Sequence, residues 1–326
     1  MQQLKASTTR SVLTLYYLLR TRLQRRQKPS GSLPAGADPF VLHQPDGTYL
    51  YILSHNLKSL KGKEEIQLSV LKSLDQLGSA PMKTILSAAQ LPNRAAHQIW
   101  APEIHLLNGY YYIYFAASDG RNKNHHMHVA KSRTNDPFGP YEYVGKIATA
   151  DDHWAIDGTV LVHNKKRYFI WSGWEGSANV QQNLYIAEMS NPTRLTGSRV
   201  CISTPSHAWE KRVFAVNEGP AVLQRGGRTF VSFSASASWT DFYCIGLLEL
   251  RGSDPLDPTS WHKYEEPLLK RATDFTAPGH NSFTKDQQRN DVIVYHTSAY
   301  PSSGWNRVVR YSPITWKNGR PTINLQ

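Results

Sequence analysis

The sequence predicts an all-β fold, a five-bladed β-propeller preceded by a non-propeller N-terminal arm. Three observations lead to this prediction. A unit of similar pattern recurs with a period of roughly 60 residues, each copy contains several short strands, and no long helical pattern competes after the arm. Each unit has a polar or acidic residue, a short strand, a turn with Gly, Asn or Lys, and a strand rich in aromatic or β-branched residues.

The clearest copy begins at Glu218. An apolar strand follows it, then the turn at residues 225–228 and the alternating strand at residues 229–234. The residues that mark the start of the other copies are Asp38, Glu103, Asp157 and His280. The intervals between successive markers are 65, 54, 61 and 62 residues. Each copy also contains a later strand, which we predict at residues 66–71, 126–130, 183–187, 244–248 and 307–311.

Composition narrows the class of protein. The chain has 326 residues, of which 40% are hydrophobic, so it can bury a large core. No apolar run approaches the ~20 residues that a membrane-spanning helix needs, so we expect no membrane partner. The net charge of +12 includes seven basic residues and no acid in the first 28 residues, which leaves +5 for the rest. We therefore expect no nucleic-acid partner. The two cysteines, Cys201 and Cys244, leave open whether they pair.

The domain prediction has two parts. Residues 1–32 are a basic N-terminal arm, which is either a targeting segment or disordered. A short apolar run followed by several arginines makes this arm a poor secretory signal. Residues 33–326 are predicted to form the five-bladed propeller.

The marker residues are expected to meet. The first strand of every propeller blade lines the central channel, so equivalent positions of different blades converge there. Several acids in one channel are costly unless they are solvated, paired, bound to metal or functional. They would also shift one another's pKa values, which is typical of an active site.

Paired carboxyl groups suit the hydrolysis of a glycosidic bond. One group protonates the leaving oxygen, and the other attacks the sugar or activates water. Asp38 and Glu218 stand on non-adjacent blades, and Asp157 lies on a blade between them. With room for a water molecule between base and sugar, the expected stereochemical outcome is inversion.

Five segments in one order resemble glycoside hydrolase family 43, the five-bladed propeller arabinofuranosidases, xylosidases and arabinanases. The matching segments are Ala-Asp-Pro-Phe at 37–40, Trp-Ala-Pro-Glu at 100–103, Ala-Ile-Asp-Gly-Thr at 155–159, Asn-Glu-Gly-Pro at 217–220 and Gly-His-Asn-Ser-Phe at 279–283. The resemblance covers about residues 36 to 320. It implies that Asp38 is the general base, Glu218 the general acid and Asp157 the residue that orients the acid and modulates its pKa.

The resemblance also implies three substrate-binding residues. Trp100 would form part of the sugar-binding wall, Arg310 would contact substrate hydroxyls and the acidic cluster, and His280 would lie near the channel centre. His280 is also the candidate metal residue, holding a calcium or another ion through water. Each has a structural alternative: Trp100 packs between blades, Arg310 lies on a strand surface, and His280 only makes hydrogen bonds.

Two further interpretations concern polar residues outside this set. Glu103 is interpreted as structural, holding backbone near the channel. The histidines at 125, 126 and 128 suggest a metal cluster, but a strand points alternate side chains to opposite faces, so we interpret them as a solvated edge.

Within the family, the sequence looks most like the exo-α-L-arabinofuranosidases. The function expected is an inverting hydrolase that releases terminal α-L-arabinofuranosyl residues from arabinan or arabinoxylan. Alternatives are a β-xylosidase or an endo-arabinanase of the same fold, and, in another class, a non-catalytic propeller that binds carbohydrate or protein. We expect a monomer with no cofactor required for the chemistry, and the resemblance implies an extracellular location.

Overall fold

The computed structural model describes residues 33–55 and 64–323, and this part of the chain is all-β. Five sheets, each of four strands, follow one another along the chain. Within each sheet the four strands pair in their order of sequence, and all pairings between them are antiparallel. Each sheet is therefore one blade, and the prediction of a five-bladed propeller is confirmed.

The strands are numbered in chain order. Blade 1 contains β1 (Ala37–His43), β2 (Tyr49–Ser54), β3 (Glu65–Leu71) and β4 (Lys83–Ser87). Blade 2 contains β5 (His97–Leu107), β6 (Tyr110–Ser118), β7 (His126–Ser132) and β8 (Tyr141–Lys146). Blade 3 contains β9 (Ala155–His163), β10 (Lys166–Gly173), β11 (Asn183–Asn191) and β12 (Arg194–Ser203). Blade 4 contains β13 (Asn217–Arg225), β14 (Arg228–Ala235), β15 (Cys244–Leu250) and β16 (Trp261–Lys263). Blade 5 contains β17 (Gly279–Lys285), β18 (Asp291–Ser298), β19 (Arg307–Lys317) and β20 (Arg320–Ile323).

The helical segments in the described residues are single 3-10 turns. They span Leu74–Gln76, Ala88–Gln90, Asn93–Ala95, Asn122–Asn124, Ala208–Glu210 and Pro258–Ser260. None of the described helices has the length and apolar character needed to cross a membrane.

The hydrophobic core lies between neighbouring blades. Leu50 and Ile52 of blade 1, for example, pack in one cluster with Ile104 and Ile113 of blade 2. Four similar clusters fill the other spaces between blades around the ring. Because a blade packs on both faces, its middle strands are buried on both sides, and all six residues of β2 are buried. Each fully buried Leu or Ile contributes about 1.5–3 kcal/mol relative to an exposed one.

The ring closes through the residues that precede β1. Gly36 N–H donates to the carbonyl of Arg307 over 3.1 Å, and Val309 N–H donates to the carbonyl of Pro34 over 2.8 Å. Val309 and Arg307 belong to β19 of blade 5. The start of the propeller therefore adds to the third strand of the last blade.

The outermost strands were absent from the sequence prediction. They are short or half-exposed: β16 has three residues, and β8 alternates between half-buried and exposed positions along most of its length. Such strands lack the apolar run on which the prediction relied. The inner and middle strands, in contrast, begin within a residue or two of the predicted starts. Some of them end later than predicted: β11 continues to Asn191 and β19 to Lys317, beyond the predicted ends at 187 and 311.

The first strand of each blade lines the channel and contains a β-bulge, and the five bulges lie at equivalent positions of the blades. The residues of these bulges with left-handed backbone are Asp38 (φ 52°), Ala101 (φ 44°), Asp157 (φ 59°), Gly219 (φ 53°) and His280 (φ 40°). A Pro, Gly or Asn follows each of them. Two of the predicted marker residues are therefore not at the equivalent position. Glu103 lies two residues after the left-handed residue of its bulge, and Glu218 lies one residue before that of its own.

Two sequence expectations have different outcomes here. The predicted arm, residues 1–32, lies outside the described residues. Cys201 and Cys244 are both free, and Cys244 is buried in the cluster between blades 3 and 4. The two cysteines therefore do not form a disulfide bond.

Candidate active site

The bulges bring the predicted acids and His280 together at the channel. His280 Nδ1 lies 3.3 Å from Asp38 Oδ1 and 3.8 Å from Asp157 Oδ2. The same Asp157 oxygen accepts the N–H of Gly219 over 3.0 Å, and Gly219 is the neighbour of Glu218 in the chain. Asp157, Glu218 and His280 are all buried, with 6%, 7% and 9% of their surfaces exposed. Residues far apart in sequence therefore form one compact, water-poor cluster.

Asp38 is held as a carboxylate. Burial alone would raise the pKa of Asp38, but interactions with His280, His296 and Arg307 outweigh it and hold that pKa well below its usual value. Arg307 Nη1 lies 3.6 Å from Asp38 Oδ1. Burial lowers the pKa of His296 to about 3 and also lowers the pKa of His280, although Asp38 opposes both shifts. Arg307 is therefore the partner of Asp38 that keeps a positive charge at neutral pH.

Glu218, in contrast, tends to keep its proton. Burial raises the pKa of Glu218 to about 7, against the opposing effects of Tyr243, Arg307 and Ser238. The Tyr243 hydroxyl donates to Glu218 Oε1 over 2.7 Å. A Cβ atom on Gly279 would collide with the ring of Tyr243, so only glycine there allows the ring this position.

Asp157 shares this low-dielectric site. Its pKa is raised well above the usual value, first by burial and then by the charges of Glu218 and Asp38, while the N–H of Gly219 acts in the opposite direction. Because Asp157 and Glu218 each disfavour ionisation of the other, the pair retains a proton near neutral pH.

The side chains around His280 provide few direct ligands for a metal ion. Calcium takes six to eight oxygen ligands in proteins. Within residues 33–55 and 64–323, no three His, Cys, Asp or Glu side chains are placed so that they could hold an ion together. His280 already contacts the carboxylates of Asp38 and Asp157 through Nδ1. Direct coordination by the His, Cys, Asp and Glu side chains of this part of the chain does not fit, and an ion here would be bound through water.

Trp100 is half-buried beside the bulge of blade 2. Its ring stacks on His125 with centroids 3.9 Å apart. The two ring nitrogens of His125 lie 3.0 Å from the carbonyls of Asn122 and Gln98. The interpretation of the histidines at 125–128 as a solvated edge is wrong, because His125 and His128 are 0% and 1% exposed. Both pack between aromatic residues, which alternation along one strand did not reveal.

Arg310 does not make the contact expected of it. Its guanidinium binds the Thr297 hydroxyl over 3.1 Å and the Asp274 carboxylate at 3.7 Å. Arg307, three residues earlier in β19, contacts the acidic cluster in its place. Both arginines lie on one strand, and the sequence does not tell which of them reaches the channel.

Two more neighbours of the acids were missed. The N–H of Asp38 donates to His296 Nδ1 over 3.1 Å, and the His296 ring stacks on Tyr243 with centroids 5.7 Å apart. His296 ends a predicted strand, and Tyr243 ends a loop. The sequence could have indicated His296, because it is a polar residue at the end of an apolar strand. No feature of the sequence pointed to Tyr243. Glu103, interpreted as structural, bonds His105 Nε2 over 2.7 Å.

Fold and site together define the class: this is a five-bladed propeller protein with an acidic, buried centre on its axis. The comparison with known families then gives the family itself. The sequence model of glycosyl hydrolases family 43 matches residues 34–321. The chain belongs to this family, and the resemblance predicted from its five motifs is confirmed.

Individual relatives agree with this assignment. An extracellular exo-α-(1→5)-L-arabinofuranosidase of Streptomyces avermitilis is 34% identical over 302 residues, which cover 89% of this chain and 61% of the relative. A protein of the same description from Streptomyces chartreusis is 35% identical over 270 residues, covering 81% of this chain and 80% of the relative. The crystal structure of an α-L-arabinofuranosidase from Lactobacillus brevis superposes with a TM-score of 0.80 at 33% identity, covering 90% of this chain and 97% of the other. This chain thus spans about three fifths of the Streptomyces avermitilis relative.

Proposed function

We propose that the protein is an inverting glycoside hydrolase that releases terminal α-L-arabinofuranosyl residues from arabinan or arabinoxylan. The observation that supports this best is the opposite shift of two pKa values, that of Asp38 below its usual range and that of Glu218 up to about 7. One ionised and one protonated carboxyl group in one site is what this hydrolysis requires. The descriptions of the two Streptomyces relatives support arabinofuranoside as the substrate.

In the proposed reaction, Asp38 is the general base and Glu218 the general acid. The Asp38 carboxylate accepts a proton from water as the water oxygen bonds to the anomeric carbon. Glu218 gives its proton to the glycosidic oxygen as the bond from that oxygen to the anomeric carbon breaks. The sugar leaves with inverted configuration, and the remaining saccharide leaves as an alcohol. Solvent then takes the proton from Asp38 and returns one to Glu218.

Asp157 is proposed to orient the acid and to modulate its pKa. Its carboxylate is bonded to the N–H of Gly219, so it fixes the backbone next to Glu218. When the proton that the pair retains resides on Glu218, the ionised Asp157 would help to keep it there. An Asp157→Asn variant is expected to lose turnover with its fold intact, and unchanged kinetics across pH would remove Asp157 from the mechanism.

Three residues are proposed to hold the sugar. Trp100 would form one wall, because its ring is fixed by the stack on His125. His280 would hydrogen-bond to the sugar or to the attacking water from the centre of the cluster. Arg307 takes the role first assigned to Arg310, since its guanidinium faces Asp38.

The proposal is tested with two matched aryl glycosides. Wild type is expected to hydrolyse 4-nitrophenyl α-L-arabinofuranoside much faster than the β-D-xyloside, and Asp38→Asn and Glu218→Gln are expected to be inactive on both. Glu103→Gln, which changes a buried acid on the neighbouring channel strand, serves as the control and should keep most activity. Faster xyloside hydrolysis would indicate a xylosidase. Saccharide binding without turnover in all four proteins would indicate a non-catalytic propeller.

We propose two further properties, an ion bound through water and export from the cell. An ion bound through water beside His280 would raise the melting temperature by mass action, so EDTA should lower it, and an unchanged value would remove the ion from the account. Export from the cell is supported by the extracellular description of the Streptomyces relatives. Fractionation of the producing cells tests it, and activity confined to the cytoplasmic fraction would contradict it.

A further inference from the structure

Two tryptophans stand exposed on loops beside the acidic cluster. Trp239 lies in the loop of residues 236–243, between β14 and β15, and Trp305 lies in the loop of residues 299–306, between β18 and β19. They expose 45% and 62% of their surfaces, and their ring centroids are 6.0 Å apart. We call this pair the aromatic ledge. Large aromatic side chains placed together in water usually mark a binding surface.

Single residues connect the ledge to both proposed catalytic carboxyl groups, the base Asp38 and the acid Glu218. The guanidinium of Arg307 lies 4.7 Å from the ring centroid of Trp305 and contacts Asp38 on its other side. Ser238, the residue before Trp239, contacts Glu218 through its side chain. Arg307 and Ser238 both act on Glu218 as well, so the ledge borders the site beside the proposed acid, which is the side from which the leaving group would depart.

Hydrogen bonds fix the two loops to each other. The Asp241 carboxylate accepts the N–H of Ser302 over 2.9 Å, which ties the first loop to the second. The guanidinium of Arg307 donates to the carbonyl of Ser238 over 2.8 Å, which ties them again near the acids. Rings held in place before a ligand arrives lose little freedom on binding, so a ledge built this way is suited to binding a ligand.

We propose that the aromatic ledge binds the sugar rings on the leaving-group side of the scissile bond. A sugar ring has an apolar face of C–H groups that packs on an indole, and its hydroxyls stay in water at this exposed position. The two tilted rings would contact consecutive sugars of an arabinose-containing chain. This proposal depends on the proposed function, because it takes the acid side of the channel as the side of the leaving group.

The test compares two substrates that share the cleaved sugar. Methyl α-L-arabinofuranoside has almost no leaving-group side, while an α-1,5-linked arabinotriose extends over the ledge. A nitrophenyl substrate is avoided because its own ring could stack on tryptophan. The quantity measured is the ratio of kcat/KM for the triose to kcat/KM for the methyl glycoside, in which effects on the shared chemistry cancel.

Trp239→Ala and Trp305→Ala are each expected to lower this ratio roughly tenfold. Trp305→Phe should restore most of it, since an aromatic face remains. Tyr110→Ala is the matched control, because Tyr110 is 40% exposed at the turn between β5 and β6, away from the acids. A wild-type ratio in both alanine variants would overturn the proposal. A wild-type ratio combined with a change of oligomeric state in light scattering would also overturn it, in favour of a contact between protein copies.

The test also distinguishes a failure of the proposed function from a failure of the ledge proposal. If wild type cleaves neither substrate, titration calorimetry with arabinotriose replaces kinetics. Weaker binding to the two alanine variants than to wild type and Tyr110→Ala would still support the ledge as a saccharide site. Equal affinity in all four proteins, or no affinity in any, would overturn it.

Discussion

The carboxyl groups of Asp38 and Glu218 lie in one channel, where Glu218 is buried and 12% of the Asp38 side chain is exposed, and their neighbours differ. Arg307 contacts Asp38, whereas Glu218 accepts a hydrogen bond from the neutral hydroxyl of Tyr243. Burial raises the pKa of a carboxyl group, and only a nearby positive charge or several donors reverse the effect. At Asp38 the interactions with His280, His296 and Arg307 outweigh burial, whereas at Glu218 burial outweighs Tyr243, Arg307 and Ser238, so the two groups separate into a base and an acid.

Removal of the Tyr243 hydroxyl tests the role of Glu218 as the acid. Its hydrogen bond favours the Glu218 carboxylate and so opposes the burial that raises the Glu218 pKa to about 7. Tyr243→Phe should raise that pKa further. A general acid works only while protonated, so the alkaline limb of the kcat/KM profile should move to higher pH, by up to about one unit.

The matched control for this variant is Tyr141→Phe. The Tyr141 hydroxyl is likewise bonded, to the carbonyl of Pro137, but it lies in the outermost strand of blade 2. This control should keep the wild-type profile. An alkaline limb that stays in place or moves to lower pH in Tyr243→Phe would contradict the role given to Glu218.

The channel strands show how an element places these groups. Each of the five strands bends at a residue with left-handed backbone, which costs about 1–2 kcal/mol for any residue with a Cβ atom. Asp38, Asp157 and His280 occupy such positions, and the packing of the blades holds them there. The left-handed residue is repeated once per blade, so it belongs to the propeller strand itself as well as to the site, and in blade 4 it is Gly219, which has no Cβ atom and avoids the strain.

A substitution at Gly219 tests whether the left-handed backbone of the channel strand positions His280. With φ at 53°, an added Cβ atom would be strained, and it would also lie 3.1 Å from Cγ and Nδ1 of His280. Gly219→Ala should therefore lower both the melting temperature and kcat, because the ring of His280 must shift away from Asp38. Gly226→Ala is the control, since φ is 58° there and nothing lies within 4 Å of the added atom. Equal effects in the two variants, with kcat unchanged, would show that the contact with His280 is unimportant.

The whole molecule depends on closure of the ring. Residues 34–36 pair with β19, so blade 1 and blade 5 are joined by backbone hydrogen bonds as well as by the core between them. Among the described residues, a propeller without this pairing would have no backbone–backbone hydrogen bond between blades 1 and 5.

Two truncated chains test the closure. One begins at Leu33 and the other at Ala37, so both lack the arm and differ only by residues 33–36. The shorter chain should melt several degrees lower, because it loses at least two backbone hydrogen bonds worth about 1 kcal/mol each. Differential scanning calorimetry measures this, and equal melting temperatures would show that closure does not require the pairing.

The sequence revealed the parts of this molecule that repeat. The period, the apolar middle strands and the residues at the bulges recur in every blade, so Asp38, Asp157, Glu218 and His280 could be predicted to meet. Arg307, Tyr243 and the aromatic ledge could not be predicted in this way, because each occurs once, in a loop or at a strand end. The outer strands were missed for a related reason, since half-exposed edges carry little apolar pattern.

The central claim is that water attacks with Asp38 as base while Glu218 protonates the leaving oxygen. The measurement that tests it most directly is a proton NMR time course of wild type with an α-L-arabinofuranoside, read before the free sugar mutarotates. The account predicts that the β anomer of L-arabinofuranose appears first. First appearance of the α anomer would mean retention through a covalent intermediate and would contradict it.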